Sequence, residues 1–358
     1  MYKYYIFLMF LVTSYLFPVT ILAIGAGDNV PTYEAKITQI LEEKNIEVMG
    51  TSQLYQKIEL EIIKDNKKII IENGNQPLVN IIKYKINDKV IVSPSGNPDN
   101  LDELIITDFD RSDGLIILSI IFIIVILSVA LGKGFFSIIA MFFTFLIVFK
   151  FTLPQILNGS NPIFISIISS LIIIPVSFYL AHGLNKKTTI SIIGSIITLI
   201  ITAILGSIFI KLGHLTGLSS EDAGMLSLDK KTLDMTGILM AGIVIGALGV
   251  LDDITVSQSA IVEELVETAK LTKVKDLYSR AMKIGTDHIT SMVNTLVLAY
   301  AGASMPLMLM FVNNPHPVGE IINYELIAEE IIRTLVGSIG LVLAVPITTY
   351  LAARWYKK

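Results

Sequence analysis

Residues Gly242 to Ser259 read GIVIGALGVLDDITVSQS, an apolar helix of membrane-crossing length that carries two adjacent carboxylates and ends in hydroxyls and an amide. At 3.6 residues per turn, Gly242, Gly246, Gly249, Asp253 and Ser257 fall close to one line. One face of one helix therefore combines a smooth glycine groove with an acid. An ionisable side chain at that depth is costly in hydrocarbon, so it must face protein or water, and that makes it a candidate functional group. Asp252 and Asp253 point about 100° apart, so only one of them faces any given centre. Its place on the glycine face favours Asp253.

Working outward, 53% of the 358 residues are hydrophobic and 16% are charged, against roughly 25% charged in a soluble domain. The shortfall lies almost wholly after Leu115. Seven windows there have the length and apolarity of spans, about 115–131, 134–153, 162–181, 189–210, 237–260, 288–312 and 331–353. Each approaches the ~20 residues that cross the hydrocarbon layer. Only Gly132 and Lys133 separate the first two. A further apolar run, Ile6 to Ile24, makes residues 1–26 either a cleaved signal segment or an anchor helix. The net charge of −4 leaves no footprint for nucleic acid. Without cysteine there is no disulfide, thiolate catalyst or cysteine metal site.

Basic residues orient the spans. Lys3, Lys133, Lys186, Lys187, Lys270, Lys273, Lys275, Arg280, Lys283, Arg354 and Lys357 fall on one side if the spans alternate. Lys211, Lys230 and Lys231 are the main exceptions. By the positive-inside rule the C-terminus is cytoplasmic and residues 27–113 are extracytoplasmic. Those residues read as a small β-barrel or sandwich, with strands expected at 34–40, 56–63, 67–72, 80–85 and 89–92. No acid cluster or phosphate loop occurs there, so a structural or protein-partner-facing domain is expected.

Three spans hold the remaining polar residues. After the acid-bearing helix, 263–285 reads as an amphipathic segment at the cytoplasmic surface. Asp287, Ser291 and Asn294 then share one face of the next span. An unpaired Asn294 amide within the bundle would cost about 1–3 kcal/mol, so a hydrogen-bonding partner is expected. Pro306 breaks that span near its outer end. In the last span Glu329 is placed to pair with Arg333 at the outer mouth, and Gly337 and Gly340 continue the Arg333 face. Asp252, Asp253 and Asp287 all lie toward the inner side, where two or three carboxylates can converge. His182 reads as an interface residue without a ligand role, and Lys211 to Asp234 as a solvated loop or lid.

Acids in a helical bundle either exchange protons or stay charged and coordinate a cation, with Ser257 and backbone carbonyls completing the shell. This supports a permease or an ion- or proton-coupled transporter of a small solute, with a path past Asp252, Asp253, Ser257, Asp287, Asn294 and Arg333. Whether a metal is held stays open, and nothing calls for a cofactor. The alternative is a membrane scaffold in which the same acids make structural hydrogen bonds. An enzyme is not expected, because the sequence has no His-Glu-x-x-His run, no nucleotide-binding glycine loop and no serine nucleophile setting.

The chain resembles the YibE/F-like family of bacterial polytopic membrane proteins. The resemblance rests on Asp108-Phe-Asp-Arg111, His182-Gly-Leu-Asn185, the core Ala241-Gly-Ile-Val-Ile-Gly-Ala-Leu-Gly-Val-Leu-Asp252, Ile284-Gly-Thr-Asp287, Met292-Val-Asn-Thr295 with its continuation to Tyr300, and Gly337-Ser-Ile-Gly340. It also takes in Gln56 of the small domain. The resemblance implies a multi-pass protein of the bacterial cytoplasmic membrane, and no particular reaction. The family pattern has an apolar or small residue where Asp253 stands, which moves the implied polar role to Asp252. It has Arg where Thr286 stands, so one charge partner for Asp287 is missing.

Overall fold

The computed structural model describes residues 31–77, 81–95, 104–229, 232–271, 273–312 and 317–357. The expected anchor or signal at 1–26 lies outside them. The chain divides into two compact units, Met1–Phe122 and Ile123–Lys358.

The first unit is an antiparallel sheet of β1 (Tyr33–Val48), β2 (Thr51–Ile62), β3 (Lys68–Asn73), β4 (Lys89–Pro94) and β5 (Leu104–Phe109), in the order β3-β2-β1-β4-β5. Met49 (φ 49°) and Gly50 (φ 81°) close the long β1–β2 hairpin, the two-residue left-handed turn that suits strand twist. Alternation along β2 buries Ile58, Leu60 and Ile62, which meet Ala35, Ile37, Val90 and Val92 in the core. The end strands β3 and β5 approach one another, but no ladder joins them among the described residues. The expected barrel is therefore an open sheet, since closure requires that pairing.

The strand expected over 80–85 is not one: Asn80 is outside the described residues and 81–85 are irregular. Fully buried Gln56 holds this segment instead. Its Nε2 donates to Tyr84 O at 3.0 Å, and Tyr84 N donates to its Oε1 at 2.9 Å. One side chain thus satisfies the backbone groups that a strand ladder would have paired.

Beyond the sheet the chain is helical. Helix α1 (Ser112–Ile147) passes through a π-helical turn, Val148–Thr152, into α2 (Leu153–Leu157). Then follow α3 (Pro162–His182), α4 (Lys186–Leu212), α5 (Glu221–Asp229), α6 (Met235–Glu267), α7 (Val274–Ala303), α8 (Met305–Val312), α9 (Val318–Ile321) and α10 (Glu325–Trp355). Among the described residues five helical stretches are long and apolar enough to cross a membrane: Ser112–Leu157, Pro162–His182, Lys186–Leu212, Met235–Glu267 and Glu325–Trp355.

Two expected spans, 115–131 and 134–153, lie on the first of these. The helix is interrupted between them at Leu131 (φ 49°, ψ −132°). The expected span 288–312 is not among the five. Helix α7 stops at Ala303, α8 begins at Met305, and Pro306 supplies no backbone N–H to bridge them. The polar run Thr286–Thr295 lowers the apolarity of what remains. Nor is 263–285 a separate surface helix: Glu263–Glu267 extends α6, and Val274–Gly285 opens α7.

Helix α4 lies at the centre of the second unit. Its Thr188, Ser191, Ser195, Thr198 and Thr202 are all fully buried. Helix α6 turns Ile243, Val244, Ala247, Leu248, Leu251 and Ile254 into the same core. Close approach of α4 and α10 depends on two glycines. A methyl group at Gly194 would press on Thr348, whose Cβ stands 3.3 Å from that position. One at Gly340 would press on Thr202, whose Cβ stands 3.4 Å away. The pairs are reciprocal, with members eight positions apart on each helix, or about 12 Å along the axes. This is the small-residue contact expected of helices in lipid.

Candidate functional site

The turn from α3 to α4 sets one wall of the site. Gly183 (φ 81°) ends α3, a backbone conformation that suits glycine. Asn185 caps α4, its Oδ1 accepting from Thr188 N at 2.8 Å, while its Nδ2 donates to His182 O at 2.9 Å. This fixes His182 at the last position of α3, its ring edge-on to Phe178. His182 Nε2 stands 3.5 Å from Asp252 Oδ1 on α6, longer than a good hydrogen bond. That oxygen is buried and has no hydrogen-bond partner. Asp253, the next residue, is exposed; its charged neighbours are Asp252 and His182.

Hydroxyls hold α4 and α6 in register below this pair. Ser191 Oγ donates to Thr255 O at 3.0 Å, Ser195 Oγ lies 2.9 Å from Thr255 Oγ1, and Ser259 Oγ donates to Lys187 O at 3.1 Å. Thr255 Oγ1 already donates to Leu251 O, so Ser195 is the donor to Thr255. Farther along, Lys187 Nζ is 3.5 Å from Glu263, and the Tyr356 hydroxyl donates to Glu263 Oε1 at 2.7 Å. Burial, and then that carboxylate, hold the Tyr356 phenol above its ordinary range. Gln258 Nε2 donates to Ala281 O at 3.0 Å and ties α6 to α7. Gly285 provides the room: a methyl group there would meet Gln258 Nε2 at 3.0 Å and Val345 Cγ1 at 2.6 Å.

Several expected placements are corrected. Gly242, Gly246 and Gly249 are exposed, and a methyl group at Gly242 or Gly249 would meet nothing within 4 Å. The Tyr300 hydroxyl is 3.6 Å from that position at Gly246. A helix can bury one face, and the aliphatic face of α6 has far more apolar area to bury than the glycine face. Ser257, on that line, is half-buried. Asp287 is exposed, and the charged groups beside Asp253 are Asp252 and His182, not Asp287. Asn294 is exposed as well, because α7 turns Leu277, Ala281 and Gly285 inward. Arg333 pairs with Glu330 instead of Glu329. Glu329 is buried, 6% exposed, with Oε1 lacking a hydrogen bond. Gly340 packs as expected, whereas Gly337 meets nothing within 4 Å.

A family model, YibE/F-like protein, matches residues 118–358. The chain belongs to the YibE/F-like family. The match leaves the β-sheet unit outside it, so that part of the resemblance stands on its own residues. No curated protein and no solved structure matches the chain. Together with the apolar helices, the family places this as a membrane-embedded protein.

In this YibE/F-like chain two motifs far apart in sequence meet. His182 opens His182-Gly-Leu-Asn185, and Asp252 closes the Ala241–Asp252 core, so their contact joins the two. The resemblance favoured Asp252 over Asp253, and Asp252 is the one that faces a partner. His182, read above as an interface residue, is that partner. Gln258, Glu263 and Tyr356 were also not singled out, although a buried glutamine two turns after an acid pair was a usable signal. Among the described residues no group of three or more His, Asp or Glu is arranged to hold a metal ion. A histidine against a carboxylate with one unpartnered oxygen can accept, hold and pass a proton, or attract a monovalent cation.

Proposed function

We propose that this protein is a permease-like transporter, not an enzyme, whose path for a proton, cation or small solute follows the open glycine face of α6 past Asp253 and Asp252. The observation that supports this most is the pairing of two unusual surfaces. Gly242, Gly246, Gly249 and Asp253 are exposed on α6, and Asp287, Ser291 and Asn294 are exposed on α7, with Tyr300 reaching Gly246 between them. In hydrocarbon such groups are costly, and beside water they are not.

Seven crossings follow if Leu131 divides the first apolar stretch and α7 with α8 forms the sixth crossing. Contacts support this alternation from α3 onward: Lys187, Glu263 and Tyr356 cluster at one end, with the His182–Asp252 contact on the same side, while Thr216, Thr236 and Glu325 meet at the other. The basic residues make the first end cytoplasmic and residues 27–113 extracytoplasmic. The second reading is a scaffold whose exposed α7 face is covered by a partner protein.

The direct test is flux into proteoliposomes carrying a pH-sensitive dye, comparing the intact chain with Asp252→Asn and Asp253→Asn. A fall of about tenfold or more in both variants is expected, the scale on which losing one functional group acts. Equal flux in all three removes the carboxylates from the path. The natural chain has no cysteine, so single cysteines at Gly249 and Asn294 can be labelled cleanly. Modification by a membrane-impermeant maleimide is expected for a wet path, and protection favours the scaffold.

A further inference from the structure

At the opposite end of the helical unit from His182 a cavity of about 440 Å³ opens where α3 and α6 begin and α4 ends. Its floor is apolar: Ile163, Ile210, Leu215 and Met240. Its polar atoms come from Lys211, His214, Ser207 and Thr236. Lys211 and His214 are exposed, and neither makes an ion pair among the described residues. Thr236 Oγ1 donates to Thr216 O at 3.1 Å, which holds the start of α6 against the loop beyond α4. Local backbone geometry places Lys211 and His214. Helix α4 ends at Leu212, and His214 takes φ 49°, so the chain turns sharply and keeps Lys211 and His214 on the same opening. The loop beyond is clasped to α10, where the Glu325 carboxylate accepts from Thr216 Oγ1 at 2.7 Å and from Gly217 N at 3.2 Å.

We infer that this cavity binds an anionic phospholipid, with the phosphate between Lys211 and His214 and acyl carbons against the apolar floor. Among the described residues no acidic side chain lines the opening to compete for Lys211. A floor of isoleucine, leucine and methionine suits hydrocarbon and does nothing for a free ion. Lysine at helix ends is the side chain that reaches a headgroup from such a depth. The inference also gives a role to Lys211, one of the loop lysines that depart from the positive-inside pattern. It does not depend on the transport path, which lies on another face of α6.

The test uses the purified full-length chain in mild detergent, with lipid binding read by native mass spectrometry. Phosphatidylglycerol, phosphatidylcholine and inorganic phosphate are the three probes. Phosphatidylglycerol is expected to bind in preference to phosphatidylcholine. Lys211→Ala with His214→Ala is expected to weaken it on the order of fivefold to tenfold, as for loss of one or two headgroup contacts. Lys211→Arg retains binding, which separates lost charge from misfolding, and Lys133→Ala leaves it unchanged. Equal phosphatidylglycerol binding by the double variant overturns the site. Full competition by inorganic phosphate overturns the lipid assignment.

Discussion

Glycines line two helix faces in this molecule and do opposite things. On α4 and α10, Gly194 and Gly340 lie under threonine side chains of the other helix, so the backbones approach as closely as they can. On α6, Gly242 and Gly249 face open space. By sequence alone the α6 series is the more regular of the two. The difference is what lies opposite: a reciprocal threonine in one case, and in the other nothing within 4 Å of Gly242 or Gly249 and a single tyrosine hydroxyl near Gly246. A stripe of small residues marks where a surface is smooth, and the partner decides whether that smoothness is used for packing or for passage.

The largest effect should come from breaking the tight crossing. Gly340→Leu places four carbons where Thr202 already sits, and a loss of about 3 kcal/mol or failure to unfold cooperatively is expected. Thermal unfolding in detergent reads this directly. Gly249→Leu should leave the melting temperature nearly unchanged, yet obstruct flux if the α6 face is a path. Equal destabilisation by the two substitutions would erase the contrast. Next in size is the hydroxyl seam: Thr255→Val removes an acceptor for Ser195 and should cost about 1 kcal/mol, with Ser257→Ala within about 0.5 kcal/mol. Tyr356→Phe, which frees Glu263 from one donor, belongs to the same range, about 1 kcal/mol. Gly242→Ala, on the open face, should stabilise by roughly 0.5–1 kcal/mol through helix propensity.

The smallest effect is electrostatic and lies in the sheet. Hydrogen bonds from Lys68 and Thr38 hold the Glu59 carboxyl below its usual value of 4.5. A depressed folded value means the contribution is present above pH 4.5 and is lost as pH falls through the folded value. The opening of the β1–β2 amides, read from hydrogen exchange after correction for the intrinsic pH dependence of the chemistry, should therefore rise as pH falls below 4.5. Glu59→Gln should flatten that rise, and an unchanged slope would assign the acid sensitivity to other groups.

Much of the architecture could be read from the residues because hydrophobic length and alternation report on the solvent that each face meets. The division near Gly132 and Lys133 appears as the Leu131 interruption, and Pro306 lies where α7 gives way to α8. The alternating Lys57–Ile62 run is strand β2 with its aliphatic face buried. Pairing was harder to read. Helical spacing puts Asp287 and Asn294 on one line but cannot tell whether a neighbour covers that line. Glu329 and Glu330 are both in reach of Arg333, and the rotation of α10 about its axis decides between them. The His182–Asp252 contact spans seventy residues, and local spacing carries no information about it. The resemblance includes both residues, in separate motifs, but the residues themselves put only Asp252 among the site candidates and leave His182 as an interface residue.

One detail of the seam between α4 and α6 has a mechanical consequence. Ser191 shares its proton between Thr255 O, across the seam, and Lys187 O on its own helix, at 3.0 and 2.9 Å. Thr255 likewise donates to Leu251 O of its own helix. If the helices part around the middle of the seam, Ser191 and Thr255 keep an acceptor at home, whereas Ser195 and Ser259 lose theirs. The seam thus yields in part and is held by two hydroxyls, while the interlocked threonine–glycine crossing with α10 would resist and serve as the fulcrum.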